Sequence, residues 1–431
     1  EAKSDLERLR LVLDHLPDEE LMGKLEKHRK WGRDDYPIRP VWNSVLAGVV
    51  YQHQSIDSLR RELSRNGELR GVCGFDPHRG SGAVPPSWVY TRFLKLLFRF
   101  KAEIDGMFDH LVDELKRLLP DLGFSVAVDS KGVNSAGKPT KKAQRDGRRD
   151  TDADWGKKAY HGKREDGTLW EKVVTWFGYK IHLLVDTKYE MPIGYAVTRA
   201  SESDTKQLLP LVKEVKEKHL QIYKDMDMAA ADKGYDSEEN CRRLYDEHGI
   251  KPVIDIRRMW RDKETKLLDP GCADNIVYDE VGTVYCICPK TGEQRSMSYG
   301  GFEKDRMALK YGCPVKAYGL RCSGSDECEH AMKSERVSLE IDRRIFTPVS
   351  RSSYAWEREY NKRTAVERVN SRLDVSFGFE KHFIRGQKKM EVRVGLALCV
   401  MLAMAVGRIK EEHQELMRSL VKSPIPLDKA A

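Results

Sequence analysis

The stretch "MAAADKGYDS", residues 228–237, decides the fold because it joins a short apolar run to a carboxylate. The run has strand character, it ends on Asp232, and a glycine turn follows. A second stretch, "FSVAVDSKGV" at residues 124–133, has the same form and ends its apolar run on Asp129. We therefore predict two buried strands, each of which ends on an aspartate.

The elements around these two strands predict how they are arranged. "KVVTWFGYKIHLLVDT" and "MPIGYAVTRA" indicate two strands around a tight turn. "SDTKQLLPLVKEVKEKHL" indicates an amphipathic helix that begins at Ser203 or Asp204, and a further helix and strand follow Asp232. The order is strand, strand, strand, helix, strand, helix, strand, with the first three strands antiparallel. A right-handed crossover that places the fourth strand beside the first makes them parallel, so that their carboxyl ends meet at a topological switch point.

This arrangement brings Asp129 and Asp232 together. Two carboxylates held a few ångströms apart repel each other, and each resists desolvation. A shared cation offsets both penalties, and hard oxygen ligands favour Mg²⁺ or Mn²⁺ over zinc. The alternative for either residue alone is a turn or cap aspartate, which is common after strands.

A third acid comes from a predicted helix, "YAWEREYNKRTAVERVNSRLDVSFGF". Tyr360, Arg363 and Glu367 follow one another at steps of three and four residues and share one helical face. Arg363 could clamp a phosphate and Tyr360 could stack on a base. The alternatives are a surface ion pair between Glu367 and Arg363, and a Tyr360 that packs on the core.

The charge distribution favours contact with an anionic partner. The chain carries 76 Lys and Arg against 68 Asp and Glu. Residues 131–172 have an excess of basic residues and could follow a phosphate backbone, although a solvated flexible loop explains them equally well. Trp155, Trp170 and Trp176 lie in or beside this segment and could stack on DNA, but the position of Trp176 on a strand favours a core role.

Nine cysteines occur in a chain that shows no secretory signal, and six of them lie between Cys272 and Cys328. A reducing cytosol favours a metal site over disulfides for such a cluster. Structural zinc could take four thiolates, with His330 as a competing ligand; free or buried thiols are the alternative. The candidate zinc ligands are Cys286, Cys288, Cys313, Cys322 and Cys328.

The predicted fold class is a mixed α/β sheet of three antiparallel and further parallel strands with helices on both faces. We predict five segments: helical residues 1–120, the first part of the core at 121–256, a Cys-rich and mostly β insertion at 257–355, C-terminal core helices at 356–412, and a tail at 413–431. The N-terminal helices could bind DNA ends, pack on the core or mediate dimerisation. The longest apolar run, residues 394–407, is too short to span a bilayer and indicates a buried helix, so no membrane is expected.

These motifs resemble the DDE-type transposases of bacterial insertion sequences. The matching pieces are "VAVDSKG", "FGYKIHLLVDTKYEMPIGYAVTRASESDTKQLLPLV", "ADKGYDS" and "YNKRTAVERVNSRL". Members of this group often show Tyr-x2-Arg-x3-Glu-x6-Lys around the last acid. Tyr360, Arg363 and Glu367 match that pattern, whereas Asp374 stands at the lysine position and Arg372 lies near it.

The resemblance implies an RNase H-like catalytic core in which Asp129, Asp232 and Glu367 hold two Mg²⁺ or Mn²⁺ ions. It implies DNA cleavage at element ends and strand transfer, with double-stranded DNA as partner, both as terminal inverted repeats and as target. A homodimer is expected in the DNA complex, in the bacterial cytoplasm and associated with the nucleoid. The expected DNA contacts are Tyr360, Arg363, Arg372, Lys131, Lys233, Lys157 and Lys158. The alternatives are a domesticated RNase H-like nuclease without strand transfer and a DNA-binding protein without catalysis.

Overall fold

The N-terminal third is helical, as predicted. The computed structural model describes residues 4–29, 35–139, 149–164, 166, 168–268 and 275–420. Its first helices are α1 (Asp5–His15), α2 (Glu19–Arg29), α3 (Ile38–Val50), α4 (Ile56–Arg65), α5 (Gly67–Cys73), α6 (Ser87–Leu97) and α7 (Lys101–Leu118). Ser55 caps α4, because its hydroxyl accepts a hydrogen bond from the backbone N–H of Ser58 at 3.2 Å.

A six-stranded mixed sheet forms the centre of the protein. Its strands are β1 (Ser125–Asn134), β2 (Asp154–Lys163), β3 (Leu169–Asp186), β4 (Pro192–Arg199), β5 (Met228–Ala231) and β6 (Lys251–Ile254). β3 runs antiparallel to β1, β2 and β4, whereas β5 pairs in parallel with both β1 and β6. The crossover from β4 to β5 contains α8 (Leu208–Lys218) and α9 (Leu220–Asp225), and α10 (Glu238–Asp246) joins β5 to β6. The predicted parallel neighbours are therefore confirmed.

Strand β2 was not predicted, because its sequence, "DWGKKAYHGK", is polar and rich in glycine. It pairs with the outer half of β3, from Asp154 opposite Gly178 to Lys163 opposite Leu169. We call these two paired segments, residues 154–163 and 169–178, the hairpin arm. Cross-strand backbone pairing, rather than apolar periodicity, makes this segment a strand.

The segment predicted as a Cys-rich insertion, which we call the insertion, contains two small antiparallel sheets. Its elements are β7 (Thr265–Leu267), β8 (Ile276–Asp279), β9 (Val284–Ile287), β10 (Gln294–Ser296), β11 (Ser298–Glu303), β12 (Ala308–Gly312), α11 (Pro314–Tyr318) and β13 (Ser334–Ser338). The strand orders are β10-β9-β8-β7 and β11-β12-β13. Twelve buried apolar residues, from Ile256 to Phe346, form a cluster of their own between these sheets.

The C-terminal helices are α12 (Tyr354–Asn361), α13 (Thr364–Phe377) and α14 (Gln387–Lys410). The prediction of one continuous helix across residues 354–379 was wrong. Backbone bonds of the i→i+3 type, from Arg363 to Tyr360 and from Val366 to Arg363, tighten the chain between α12 and α13. By length and composition alone α14 is the one helix among the described residues that could cross a membrane, and 89% of its apolar window lies inside the protein.

One continuous apolar core joins the N-terminal helices to the sheet. It runs from Leu9 and Trp42 through Val126 and Val185 on the strands to the buried face of α14. Helices α1, α3 and α7 all pack against α14. Of the three roles considered for the N-terminal helices, packing on the core is therefore directly visible.

Candidate active site

Asp129 and Asp232 come together where the parallel pairing of β1 and β5 ends. The last parallel pair is Val128 opposite Ala231, and each aspartate is the next residue along its chain. The expectation that strand one ends on Asp129 was wrong, since β1 continues to Asn134 through its pairing with β3. The two carboxylates nevertheless leave the sheet at the same edge, as the switch-point argument requires.

Local backbone bonds hold both carboxylates in place. One oxygen of Asp129, Oδ1, accepts the backbone N–H of Ser130 at 2.7 Å. Asp232 caps the following single 3₁₀ turn, and its Oδ1 accepts the N–H of Gly234 at 2.8 Å. The turn role considered for Asp232 is therefore present, and it uses one of the two carboxylate oxygens.

Glu367 reaches the same site from the first turn of α13 through Arg363. The Arg363 guanidinium lies 2.8 Å from Glu367 Oε1 by Nη2 and 3.4 Å from Asp129 Oδ2 by Nη1. The Arg363 side chain is mostly buried, whereas about half of Glu367 is exposed. The ion pair considered as an alternative for Glu367 is therefore present, but it lies over Asp129 and not on a remote surface.

Burial, followed by the charge of Asp232, raises the pKa of Asp129 to about 6. The bond from Ser130 and the charges of Lys158 and Arg363 act in the opposite direction without cancelling it. Asp129 is difficult to ionise because it is buried beside a second carboxylate. A positive charge placed between the two carboxylates would stabilise their ionised forms. An oxygen-ligated divalent cation would supply that charge.

The donor set fits a hard cation, although the side chains must still adjust to bind one. Among the residues that the structure describes, no three Asp, Glu, His or Cys side chains already stand in ligand geometry. Glu367 is turned toward Arg363, and about half of its side chain is exposed. An all-oxygen set would require Glu367 to leave Arg363 and turn toward Asp129 and Asp232.

A fourth acid, Asp204, was treated in the sequence only as a helix start. Its Oδ1 pairs with Lys180 Nζ at 2.9 Å, and its Oδ2 lies 3.5 Å from where a Cβ on Gly234 would stand. The Tyr235 side chain is fully buried beneath Asp204, Asp129 and Asp232, and burial followed by these charges raises its pKa. The position of Asp204, in the loop that leads from β4 into the crossover, was the feature of the sequence that could have indicated an acid near the site.

Tyr360 and Arg363 lie together beside the carboxylates. The Arg363 guanidinium stands 5.6 Å from the centroid of the Tyr360 ring. The same ring stacks in parallel on Trp356, with 4.6 Å between the centroids, and packs against the main core. Burial and the charge of Asp255 raise the pKa of Tyr360, and Asp232 contributes as well. The ring is therefore partly packed, as the core alternative required, and also adjacent to the acids.

Lys131 and Arg372, which were predicted to contact DNA, pair with carboxylates of the protein, as Arg363 also does. Lys131 pairs with Asp374 and lies 3.3 Å from Glu380, so Asp374 receives a cation at the position where the resembling family carries one. Arg372 donates to the Glu190 carbonyl at 2.9 Å and pairs with the Glu190 carboxylate. The structure therefore directs Arg372 toward the β3–β4 turn and away from the three acids.

The other predicted basic contacts are exposed. Lys233 follows Asp232 directly, and Lys157 and Lys158 lie on the hairpin arm, where the charge of Lys158 reaches Asp129. Trp155 is 55% exposed on the same arm. The Trp176 ring, by contrast, packs against the backbone of Gly132 and Gly156, where a side chain would collide with it.

The cysteine candidates also converge, around one cavity in the insertion. They belong to a separate part of the molecule, whose apolar cluster is distinct from the main core. Cys272 lies outside the described residues.

One of two comparisons with known proteins identifies a family for the chain. A search of curated proteins returned no match to the chain. A family model described as a transposase DDE domain matches residues 125–403, which begin at β1 and end within α14. The match covers about two thirds of the chain and includes all three acids. The protein belongs to the transposase family defined by this DDE domain.

Proposed function

We propose that this transposase has an RNase H-like core that cuts DNA at the ends of an insertion sequence and joins those ends to target DNA. The observation that carries the proposal is the convergence of Asp129, Asp232 and Glu367, with Arg363 between the first and the last. These acids come from a strand, a strand end and a helix, and only the fold unites them.

Asp129, Asp232 and Glu367 would hold two Mg²⁺ or Mn²⁺ ions. When bound, such ions activate the attacking water or 3′-hydroxyl and stabilise the leaving oxygen. Below about pH 6 Asp129 is protonated and would have to lose that proton to bind a metal, since only the carboxylate is a ligand. The raised pKa of Asp129 makes metal binding weaker as the pH falls toward 6.

Arg363 would exchange partners when DNA arrives. Its guanidinium now neutralises Asp129 and Glu367, and a planar fork of this kind binds two phosphate oxygens equally well. Tyr360 offers a partly exposed ring beside it for a base. These two side chains would place the scissile phosphate over the acids.

The DNA path would extend from Lys233 to the hairpin arm with Lys157 and Lys158. All three side chains are exposed, and phosphate contacts from lysines supply affinity without sequence information. Lys131 would position the edge of α13 through Asp374. Arg372 was expected to contact DNA; its bond to Glu190 supports a role in stabilising the fold instead.

A homodimer would be the active form, because transposition must act on two DNA ends within one complex. The protein would work in the bacterial cytoplasm, associated with the nucleoid. Its DNA partners would be the terminal inverted repeats and the target duplex.

The test uses the purified full chain and a supercoiled plasmid that carries its gene with the natural flanking DNA. We expect strand breaks at the element ends in Mg²⁺ or Mn²⁺ and integration into a second plasmid. Asp129→Asn, Asp232→Asn and Glu367→Gln should each abolish cleavage while binding to the flanking DNA persists. Glu357→Gln, an exposed acid on α12, is the matched control and should retain activity.

Each outcome has a defined meaning. Near-normal cleavage by any of the three acid variants would remove that acid from the site. Cleavage without integration would favour the nuclease without strand transfer. Binding of the flanking DNA without any cleavage would favour the non-catalytic DNA-binding protein.

A further inference from the structure

The insertion contains a cavity of about 180 Å³ that five cysteines and one histidine line. These residues come from β9 and the residue after it, from the start of α11 and from the loop before β13, so the fold gathers them from three segments. They are Cys286, Cys288, Cys313, Cys322, Cys328 and His330.

The sulfur atoms of Cys288 and Cys322 are 3.8 Å apart. A disulfide bond requires about 2.05 Å, so these thiols are not bonded. Two sulfurs on a tetrahedral zinc, each about 2.3 Å from the metal, are about 3.8 Å apart. The distance between the two sulfurs therefore matches the edge length that a zinc tetrahedron requires.

Tight turns follow both cysteines. The backbone N–H of Gly292 donates to the Cys288 carbonyl at 2.8 Å, and the backbone N–H of Ser325 donates to the Cys322 carbonyl at 3.2 Å. A Cβ at Gly324 would stand 2.9 Å from the Cys288 sulfur, so the loop approaches it as closely as a backbone can.

His330 has the orientation of a metal ligand. Its Nδ1 lies 3.0 Å from Glu335 Oε2, and its Nε2 is buried without a hydrogen-bond partner among the described residues. A histidine that ligates zinc commonly donates its second N–H to a carboxylate, which fixes the ring and its tautomer. The pair of His330 and Glu335 reproduces that arrangement and leaves Nε2 free toward the cavity.

The loop around these residues lacks the apolar burial that would otherwise order it. Between Cys313 and Lys333 the one helix is the five-residue α11, and Tyr318, Leu320 and Met332 are exposed. A small segment of this kind needs a cross-link or a metal, because ordering about 20 residues costs more than its buried surface returns.

We propose that this cavity is a structural zinc site in which Cys288, Cys322 and His330 are three ligands, and that one of the other three lining thiols is the fourth. Because no three of these groups already stand in ligand geometry, small side-chain rotations must complete the tetrahedron. The site would attach the 313–333 loop to β9. It is separate from the proposed Mg²⁺ site and does not depend on the proposed catalytic activity.

The test is metal analysis of the full chain after purification without chelators and dialysis with limiting zinc. About one equivalent of zinc per chain is expected for the unaltered protein, for Asp129→Asn/Asp232→Asn and for Cys399→Ala, which removes a buried thiol in α14. Cys288→Ser/Cys322→Ser and His330→Gln should each fall below about half an equivalent. Glu335→Gln should keep the ligands but weaken zinc binding about 10- to 100-fold.

Cobalt substitution and proteolysis keep the proposal testable if a variant folds poorly. The unaltered protein with Co²⁺ should show thiolate-to-metal absorption, and zinc should protect the 313–333 loop from protease. Less than half an equivalent of zinc in the unaltered protein, iron in its place, or full zinc retention by Cys288→Ser/Cys322→Ser would overturn the proposal. Loss of zinc in Asp129→Asn/Asp232→Asn would assign the metal to the acids instead.

Discussion

Arg363 Nη1 lies 3.4 Å from Asp129 Oδ2, although 234 positions separate the two residues in the chain. The same guanidinium pairs with Glu367, one turn further along. One cation therefore connects an acid of the central sheet to an acid of a C-terminal helix. It occupies the place where the acids would otherwise repel one another.

The first prediction concerns Arg363 as a competitor for the carboxylates. Arg363→Ala should tighten Mn²⁺ binding several-fold, because the acids lose their present counter-ion. It should also lower DNA cleavage at least tenfold, since the phosphate loses a bidentate donor. Titration calorimetry with Mn²⁺ and the plasmid assay measure the two effects. Arg358→Ala, an exposed arginine on α12, should change neither, and weaker Mn²⁺ binding in Arg363→Ala would contradict the competition.

The second prediction follows from the raised pKa of Asp129, about 6 against an ordinary 3.8. Above pH 6 the fold must hold a carboxylate that burial disfavours, whereas below pH 4 the group is protonated in both the folded and the unfolded chain. Asp129→Asn should therefore stabilise the metal-free protein at pH 7.5 by on the order of 2 kcal/mol, and this gain should disappear between pH 6 and 4.

Thermal unfolding at pH 4.5, 6 and 7.5 measures this gain. Added Mg²⁺ should raise the Tm of the unaltered protein at pH 7.5 and have little effect on Asp129→Asn. Asp305→Asn, on the surface of the insertion, serves as the control. An equal Tm for Asp129→Asn and the unaltered protein at pH 7.5 would show that the burial cost is absent.

The third prediction concerns the ion pair of Lys131 and Asp374, which joins β1 to α13 two turns beyond Glu367. Both side chains are largely protected from solvent. Lys131→Ala and Asp374→Ala should each destabilise the protein, with a coupling free energy on the order of 1 kcal/mol in a double-mutant cycle. The reversed pair, Lys131→Asp/Asp374→Lys, should recover part of the loss.

Denaturant unfolding of the unaltered protein, the two single alanine variants and the double alanine variant gives the coupling free energy. Cleavage should fall with each single change, because α13 carries Glu367 toward Asp129. Purely additive effects on stability would mean that the pair does not hold the helix.

The fourth prediction concerns the hairpin arm as a DNA contact. Lys157→Ala/Lys158→Ala should weaken DNA binding, since both side chains are exposed and lysine contacts to phosphate supply affinity. The slope of log K against log salt should become shallower by about 1 to 2, as expected for the loss of one or two phosphate contacts. Binding isotherms at several salt concentrations measure it.

Two comparison variants complete this test. Lys213→Ala/Lys224→Ala removes two exposed lysines of α8 and α9 and should leave the salt slope unchanged. Arg372→Ala, in contrast, should lower the Tm and leave the salt slope unchanged. Arg372 bonds to Glu190, which is buried and is held at φ +56° in the β3–β4 turn, so its loss should destabilise that turn. An unchanged salt slope for Lys157→Ala/Lys158→Ala would exclude the arm from the DNA path.

The sequence by itself determined the order of the core elements other than β2 and the placement of Asp129 beside Asp232. Apolar runs of strand length, an amphipathic helix between them and the handedness of crossovers were enough to bring Asp129 and Asp232 to one edge. These are local or nearly local rules, and backbone geometry enforces them. They did not predict β2, whose pairing with β3 depends on a partner and not on its own pattern.

Only the tertiary structure decided what each charged side chain does. Arg363 pairs with Asp129 as well as with Glu367. Lys131 forms an ion pair with Asp374, and Arg372 forms one with Glu190. Sequence periodicity does not identify the ion-pair partner of a charged residue. Its long side chain can also adopt several rotamers that point in different directions from the same backbone position. The choice is made by which opposite charge the folded chain places within reach and how far solvent is excluded there.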